Sequence, residues 1–255
     1  MQNGGLRTKG ITKTGTPDHP LITVVTVVYN GAATLEQTIL SVVNQTYDNV
    51  EYIIIDGAST DCTLDIVKKY EDKIDFWQSE PDKGIYDAMN KGIGLATGEY
   101  VALLNSGDWY ENNTIETVVN RIIKNPMVDI YYGMMRIYSE DKKFLWVYAY
   151  NHNYLERAMI SHPTSFVKKT LYEKYHYNLE YKSAADYDLF LTFYQNNISF
   201  YFIEKILGNY TLGGMSDSFT GKKETSLVRY KHGISSFKNF IIHFFIYSLL
   251  GVFNK

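Results

Sequence analysis

The stretch Glu99-Tyr-Val-Ala-Leu-Leu-Asn-Ser-Gly-Asp-Trp109 changes its chemistry half-way along. Its first half, Tyr100–Leu104, is a short apolar run typical of a buried strand. Its second half, Asn105–Asp108, combines short polar side chains with a glycine, as tight turns do. The sequence therefore predicts a core strand that ends abruptly and places one carboxylate, Asp108, at its carboxyl end.

Asp108 has two interpretations. Open α/β sheets bind ligands at the carboxyl ends of their strands. A Mg²⁺ or Mn²⁺ ion can bind through one or two protein carboxylates and take its other ligands from phosphate and water. We therefore predict that Asp108 binds a divalent metal. The alternative is a capped turn that binds nothing and leads into a helix at Glu111–Lys124.

Composition limits the class of protein. The 255 residues, 45% of them hydrophobic, fit one large α/β domain or one domain with an appendage. The formal net charge of −3 argues against nucleic acid as the main partner. A single cysteine, Cys62, excludes an internal disulfide framework. Residues 1–20 lack an apolar run, so we expect no secretory signal and instead an extended or loosely docked arm.

Strand-like and helix-like segments alternate after this arm. The predicted elements are a strand at Leu21–Val28, a helix from the capping-box pattern Thr34–Gln37 to about Asn44, a strand at Glu51–Ile55, a helix after Asp61, a strand at Ile74–Gln78 and a helix at Gly84–Leu95. This alternation predicts βαβ units and a mostly parallel sheet flanked by helices. The predicted strands end at Tyr29-Asn30, Asp56 and Asp108, and such ends line one crevice, which suggests a nucleotide site.

The second half of the chain is less regular. We predict strands at 128–138, 143–150, 160–167, 200–203 and 206–210, helices at 168–175 and 184–196, and a loop at 212–223 that is either a closing lid or a plain flexible loop. Residues 234–253 are strongly apolar. The predicted organisation is an arm at 1–20, one domain at 21–233 and an apolar C-terminal helix at 234–255.

Five short motifs occur in a fixed order: Thr26–Asn30, Asp56–Asp61, Glu80–Gly92, Ala96–Glu99 and Leu104–Asp108. Together they resemble the family 2 glycosyltransferases, which have the nucleotide-sugar-binding GT-A fold. The likeness runs from about Leu21 to Met215. It is greatest to bacterial enzymes that build surface polysaccharides such as colanic acid, capsule and O-antigen. The resemblance implies transfer of a sugar with inversion at the anomeric carbon.

The resemblance also implies roles for individual residues on the donor side. Tyr29 and Thr26 would lie beside the nucleobase, Asp56 would contact the base or ribose, and Asp82 and Lys83 would border the base, with Ser106 also on the donor side. Gly57 replaces the second acid of the usual Asp-Asp-Gly-Ser pattern, which leaves base selectivity open.

The remaining roles concern the reaction. Asp108 is the surviving acid of the family's metal motif, which implies a Mg²⁺ or Mn²⁺ cofactor. Asp186 matches the general base, and Ala185 stands where relatives have the preceding acid. His162 would face the acceptor or the diphosphate, and a core histidine is the alternative. Asp87 would pair with acceptor hydroxyls, and an ion pair with Lys91 is the alternative.

Helical spacing separates Asp186 from its neighbour Asp188. Asp186 shares a face with the apolar residues Leu189, Phe190 and Phe193, whereas Asp188 shares a face with Leu191, Thr192 and Gln195. A carboxylate at the margin of an apolar stripe suits a base. The alternative for Asp186 is a capping role together with Ser183.

These inferences predict a metal-dependent inverting glycosyltransferase. The donor would be a nucleotide-diphosphate sugar, UDP-linked as first choice, and the acceptor a lipid-linked glycan. The protein would be cytoplasmic and peripheral on the inner membrane face, with residues 240–253 in the membrane interface. That helix could instead pack on the enzyme's own core or on a dimer partner. The rival functions are a nucleotidyltransferase, which residues 30–34 disfavour because they lack a lysine or arginine, and a catalytically degenerate sugar-nucleotide-binding protein.

Overall fold

The structure, a computed structural model, describes residues 1–213 and 218–253. Its strands are Gln2–Gly4 (β1), Ile22–Val28 (β2), Val50–Asp56 (β3), Phe76–Ser79 (β4), Tyr100–Leu103 (β5), Trp109–Tyr110 (β6), Ile130–Tyr138 (β7), Phe144–Tyr148 (β8), Phe166–Lys168 (β9) and Phe200–Thr211 (β10). Its α-helices are Leu35–Val43 (α1), Thr63–Lys69 (α2), Ile85–Leu95 (α3), Thr114–Lys124 (α4), Lys169–Lys174 (α5), Ala185–Gln195 (α6), Phe219–Lys231 (α7) and Phe237–Phe253 (α8). None of these helices is long and apolar enough to cross a membrane.

All the strands form one sheet in the order β1-β4-β3-β2-β5-β9-β7-β10-β6, with β8 paired to β7. The segment β4-β3-β2-β5 is parallel, and so is the pair β7–β10. The short strand β9 runs antiparallel to both β5 and β7 and joins these two parts. The α/β prediction with a mostly parallel central sheet is confirmed by the segment β4-β3-β2-β5, and the antiparallel pairs are those of β1, β6, β8 and β9.

Both faces of the central strands are covered. Every residue of β2 and β3 is buried, which is why their sequences are continuous apolar runs instead of alternating ones. Val25 and Val27 pack into one core with α3 and α6, whereas Val24 and Val28 pack into a second core with α1 and α4. Because neighbouring strand residues point to opposite faces, one strand anchors both helical layers.

The strand ends converge as predicted. The backbone N–H of Gly57 donates to Val28 O (2.9 Å), and the N–H of Ser106 donates to Val27 O (3.2 Å). The turns after β2, β3 and β5 therefore lie at one edge of the sheet. Thr34 at the start of α1 makes no capping bond, so the predicted capping box is wrong. Its hydroxyl lies 3.1 Å from Ser106 Oγ instead.

Several boundaries differ from the sequence prediction. The segment 1–20 is not loosely docked, because β1 pairs antiparallel with β4 and extends the sheet. Residues 160–167 form a 3-10 turn, His162–Thr164, before the short strand β9. The two strands predicted at 200–203 and 206–210 are one strand, β10, with register shifts between them. The predicted loop at 212–223 ends earlier, since α7 begins at Phe219, and its residues 214–217 lie outside the described residues, as do residues 254–255 of the predicted C-terminal helix.

Candidate active site

Two adjoining cavities open at the carboxyl edge of the sheet. The first has a volume of about 710 Å³ and is lined by residues 27–31, by Gly57 and by the loop that precedes α3. The second has a volume of about 430 Å³ and is lined by Asp108, Asp186 and the end of β10. Both cavities share four lining residues, Thr34, Ile85, Asn105 and Ser106. A ligand could therefore extend from one cavity into the other past the turn that follows β5.

The loops that form the first cavity are tied to each other by side chain to backbone hydrogen bonds. Backbone N–H groups of one loop donate to hydroxyl or carboxylate oxygens of the other, in the pairs Asn30–Ser59 (2.7 Å), Gly31–Thr63 (2.9 Å) and Ala32–Asp61 (3.1 Å), while Asn30 Oδ1 accepts from Thr60 N (2.8 Å). Asn30 has a left-handed φ of 49°, a conformation that asparagine tolerates better than most residues. This loop pair is therefore held in one shape before a ligand binds.

The predicted donor residues are not all placed alike. Tyr29 is 66% exposed and lines the first cavity, as do Asp82 and Ser106. The side chain of Thr26 is fully buried and its hydroxyl lies 3.0 Å from Tyr52 Oη, so its predicted contact with the nucleobase is wrong. Lys83 is exposed beside the cavity but does not line it.

Asp56 is buried and already saturated with hydrogen bonds. Its carboxylate accepts from Ser59 N (3.1 Å), from Ser59 Oγ (2.5 Å) and from Ser79 Oγ (2.6 Å). Such an acid shapes the loop after β3. Asp56 does not itself line either cavity.

Gly57 leaves room for a different acid. A Cβ at position 57 would lie 2.6 Å from Asp82 Oδ2, which is closer than real Cβ atoms come. The Asp82 carboxylate, held by a bond from Gly84 N to Oδ1 (2.8 Å), thus stands where the side chain of a second acid would begin. A side chain at position 57 would therefore compete with the Asp82 carboxylate for the same space.

Asp108 is the most unusual acid of the site. It is 5% exposed and lines the second cavity. Burial raises the pKa of Asp108 well above its usual value, because the charged form loses its hydration. Within residues 1–213 and 218–253, no group donates a hydrogen bond to this carboxylate and no cation pairs with it. Asn105 Oδ1, which lies in the same turn, is also buried without a hydrogen-bond partner in the described part of the chain.

These two oxygen groups fit a divalent cation. Mg²⁺ prefers oxygen ligands and keeps several positions for water and substrate phosphates. The described residues contain no cluster of three His, Cys, Asp or Glu side chains that could hold a metal alone. Asp108, with Asn105 beside it, would hold such an ion only when further ligands came from the substrate.

Asp186 lies across the second cavity from this turn, on the first turn of α6. Tyr86 Oη donates to Asp186 Oδ1 (3.1 Å). Burial and the nearby Asp186 carboxylate raise the pKa of Tyr86, so the phenol remains a proton donor. Asp188 faces away and lies 2.9 Å from His232 Nε2. The predicted separation of the two acids is confirmed, and Asp186 makes no capping bond with Ser183.

His162 and Asp87 are placed differently from each other. His162 lines the second cavity, is 9% exposed and lies 2.9 Å from Tyr177 Oη through Nε2. Burial lowers the pKa of His162, and the charge of Asp186 acts in the opposite direction. Asp87 lines neither cavity, because its carboxylate accepts from Lys83 N (3.0 Å) and pairs with Lys91 (3.4 Å). The ion-pair interpretation of Asp87 therefore fits the structure.

Two residues of the site were missed by the sequence analysis. Asn105 was assigned only to turn chemistry, and its orphaned oxygen is a tertiary property that no pattern reveals. Tyr86 could have been found, because it precedes Met89 and Ile93 by three and seven residues and so belongs to the buried stripe of α3.

Comparison with known proteins identifies the family. The sequence model described as glycosyl transferase family 2 matches residues 23–221. The chain belongs to this family. It is therefore a glycosyltransferase with the GT-A type of α/β fold. It is 29% identical over 212 residues to a PGL/p-HBAD biosynthesis glycosyltransferase of Mycobacterium bovis, covering 80% of this chain and 82% of that protein. It is 36% identical over 112 residues to an uncharacterized glycosyltransferase of Haemophilus influenzae, covering 43% and 45% of the two chains.

Solved glycosyltransferases share its fold. S. aureus TarS 1-349 in complex with UDP-GlcNAc matches with a TM-score of 0.68 at 19% identity, covering 85% of this chain and 67% of that one. The mannosyltransferase PcManGT from Pyrobaculum calidifontis, in complex with GDP-Man and Mn²⁺, matches with a TM-score of 0.62 at 17% identity, covering 89% and 68%. The chain spans 64% of TarS 1-349 in another structure and 39% of a longer TarS chain.

Proposed function

We propose that the protein transfers a sugar from a nucleotide-diphosphate donor, UDP-linked as first choice, to a hydroxyl of a lipid-linked glycan, with inversion and with a divalent cation. The observation that carries this proposal is the pair of adjoining cavities, with Asp108 and Asp186 lining the second one. The TarS complexes with UDP and UDP-GlcNAc support a uridine donor, and the GDP-Man complex of PcManGT keeps the choice of base open to experiment.

The nucleotide would occupy the first cavity. Tyr29 presents an exposed ring to a nucleobase, and Asp82 presents a carboxylate to the base or ribose. The diphosphate would then pass Ser106 and Asn105, the residues that both cavities share. A divalent cation held by Asp108 would neutralise charge on the leaving diphosphate.

The second cavity would hold the donor sugar and the acceptor. The acceptor oxygen forms a bond to the anomeric carbon from the side opposite the diphosphate, and the bond from that carbon to the diphosphate oxygen breaks. The hydroxyl proton passes to the Asp186 carboxylate, which acts as general base. Tyr86 fixes one oxygen of that carboxylate, and the other oxygen remains for the acceptor.

The test combines binding with turnover. UDP, UDP-GlcNAc and GDP-mannose are screened with Mn²⁺ by thermal shift. A nucleotide that binds the native protein should raise its melting temperature, because such a ligand stabilises the native state by mass action. Release of the nucleoside diphosphate then reports transfer or hydrolysis. Binding without turnover by any donor and acceptor would identify a sugar-nucleotide-binding protein instead, and release of pyrophosphate from a nucleoside triphosphate would identify a nucleotidyltransferase.

The proposed acceptor requires access to a membrane, and α8 would provide it by lying in the interface. On this helix Phe237, Ile242 and Ile246 are 60%, 44% and 45% exposed. The cations Lys231 and Lys238 lie close to its start, where anionic headgroups attract them. In flotation with anionic liposomes, the double variant Ile242→Asp/Ile246→Asp should remain at the bottom while wild type floats. Ile123→Asp, at an exposed site on α4, should float like wild type. Wild type that ignores the vesicles would remove the membrane from the proposal.

A further inference from the structure

The helix that carries Asp186 starts without a cap of its own. Its N-cap residue is Ala184, which has no side chain that could accept a hydrogen bond from the first turn. The carboxylate of Glu224, which belongs to α7, instead binds the segment that leads into α6. It accepts from the backbone N–H of Lys182 (3.0 Å to each oxygen), Ser183 (2.7 Å) and Ala184 (3.2 Å). Three successive amides therefore converge on one acid from another helix.

Such an acid is well suited to hold the start of a helix. Lys182 and Ser183 directly precede the N-cap residue Ala184, which lies at the positive end of the helix dipole, so the carboxylate satisfies the amides of the segment that leads into α6 and is attracted to this end of the helix. Asp186 follows Ala184 by two residues, and the cavity residue Ser183 is one of the three donors. Glu224 thus holds the backbone that directly precedes Asp186.

We infer that Glu224 is a positioning residue for the general base, linking α7 to the reacting carboxylate. This inference rests on the proposed function. Two contacts then locate Asp186 independently. Tyr86 holds the side chain from α3 through the 3.1 Å bond, and Glu224 holds the backbone from α7.

The far end of α7 has separate attachments to α6. Gln195 Nε2 donates to His232 O (2.9 Å), and His232 lies 2.9 Å from Asp188 Oδ1. These contacts do not involve Glu224. Loss of Glu224 should therefore loosen the first turn of α6 while leaving the two helices packed, so a variant at this position remains folded and testable.

The first measurement is hydrogen exchange of the backbone amides of residues 182–184, the three that donate to Glu224. Removal of the carboxylate in Glu224→Ala should speed their exchange about 10- to 100-fold, the factor that corresponds to hydrogen bonds to a charged group. Glu224→Gln, which keeps an acceptor oxygen without charge, should show a smaller increase. Glu180→Gln is the matched control, because Glu180 lies just before α6, is 76% exposed and pairs only distantly with Lys231 (3.7 Å).

The second measurement is turnover, as UDP release from UDP-GlcNAc with Mn²⁺. Glu224→Ala should lower kcat by up to about 100-fold, which a 1 Å misplacement of a reacting group can cost, while KM for the donor stays within about twofold. In an Asp186→Asn background the same substitution should have no further effect, since residues that act as one unit are not additive.

The outcomes separate the inference from the function it rests on. A wild-type protein that releases no nucleotide would contradict the proposed function, and the exchange data alone would then decide whether Glu224 holds the start of α6. Unchanged exchange at 182–184 in Glu224→Ala overturns the inference. The inference is also overturned if Glu224→Ala lowers turnover by the same factor in the wild-type and in the Asp186→Asn background. That result would mean that Glu224 acts on the fold as a whole.

Discussion

The acids of the two cavities differ in how many hydrogen bonds they already accept. Beside the first cavity, the buried Asp56 accepts bonds from Ser59 and Ser79, and Asp82, which lines the cavity, accepts one from Gly84. In the second cavity, Asp186 accepts one bond from Tyr86, and Asp108 accepts none from the described residues. An acid whose lone pairs are occupied holds a loop in shape, whereas an acid with free lone pairs can bind a cation or take a proton. Under the proposed function, the saturated Asp56 shapes the nucleotide site, whereas Asp108 and Asp186 take part in the reaction.

The sharpest way to test this comparison is to remove the proposed base. Asp186→Asn should lower kcat roughly 10²–10⁴-fold, the contribution of a general base, while donor binding and melting temperature stay nearly unchanged. Steady-state kinetics together with a donor thermal shift measure both quantities.

Asp188→Asn is the matched control, because its carboxylate contacts His232 instead of the cavity. It should lose far less activity. A dead Asp188→Asn enzyme beside an active Asp186→Asn enzyme would reverse the assignment of the two acids.

Removal of the Asp108 carboxylate should lower the activity and raise the stability of the metal-free protein. Asp108→Asn should lower Mn²⁺-dependent turnover by at least about 100-fold, since even outer partners of metal ligands cost 10- to 100-fold. Without metal the variant should melt higher than wild type, by about 2–4 °C for each kcal/mol gained, because a buried carboxylate without a partner is replaced by a neutral amide.

The control for this prediction is Asp141→Asn, which removes an exposed acid that pairs with Lys143 and should change neither quantity. Differential scanning calorimetry with EDTA and with Mn²⁺ provides the readout. An Asp108→Asn enzyme that keeps its Mn²⁺ requirement would place the metal on other residues.

A smaller effect is expected in the first cavity, where the absence of a side chain at Gly57 leaves space for the Asp82 carboxylate. Gly57→Asp should weaken donor binding roughly tenfold, because its Cβ would displace the Asp82 carboxylate and a second negative charge would face it. Turnover at saturating donor should be kept, since the second cavity is unchanged. Isothermal titration with UDP-GlcNAc and Mn²⁺ measures the affinity.

Gly57→Asn is nearly the same size without the charge and therefore isolates the steric part of the loss. If Gly57→Asp bound the donor more tightly than wild type, an acid at position 57 would contact the nucleotide directly, and the expected competition with Asp82 would be incorrect.

The smallest predicted effect concerns pH. Because burial lowers the pKa of His162 in the folded protein, the unfolded chain takes up a proton near pH 6.5 that the folded protein does not. The free energy of unfolding is therefore higher above that pH and decreases as the pH falls. For one proton it decreases by at most about 1.4 kcal/mol per pH unit. When the free energy of unfolding is measured with urea between pH 7 and pH 5, it should depend less steeply on pH for His162→Gln than for wild type.

His176→Gln serves as the control, since His176 is exposed and should leave the slope unchanged. Identical slopes in all three proteins would mean that His162 titrates in the folded state as it does in the unfolded chain.

The sequence predicted the first cavity better than the second, for a physical reason. The ends of β2, β3 and β5 can be read from continuous apolar runs that stop at Tyr29, Asp56 and Asn105, and parallel strands bring such ends together without further information. Thr26 was misplaced because the motif that contains it shows no direction of the side chain, which points into the core toward Tyr52.

The second cavity depends on pairings that local patterns do not encode. Its wall joins the end of β10, the turn at His162 and the start of α6, which are far apart in the chain and meet through the antiparallel strand β9. Helical phase correctly separated Asp186 from Asp188. The hydrogen bond from Tyr86, a hundred residues away, and the contact of Glu224 with the start of α6 required the tertiary structure.

The N-terminal segment also has a consequence for how the protein can be handled. Arg7 pairs with Glu51 (3.4 Å) and Lys13 pairs with Asp75 (2.8 Å), and the side chains of these two acids are only 5% and 2% exposed. Removal of residues 1–13 would leave two buried acids without their cations and would uncover β4 as a free sheet edge, a recognised route to aggregation. A shortened protein prepared for crystallisation should therefore be less soluble than the full chain, and an affinity tag is better fused at the other terminus.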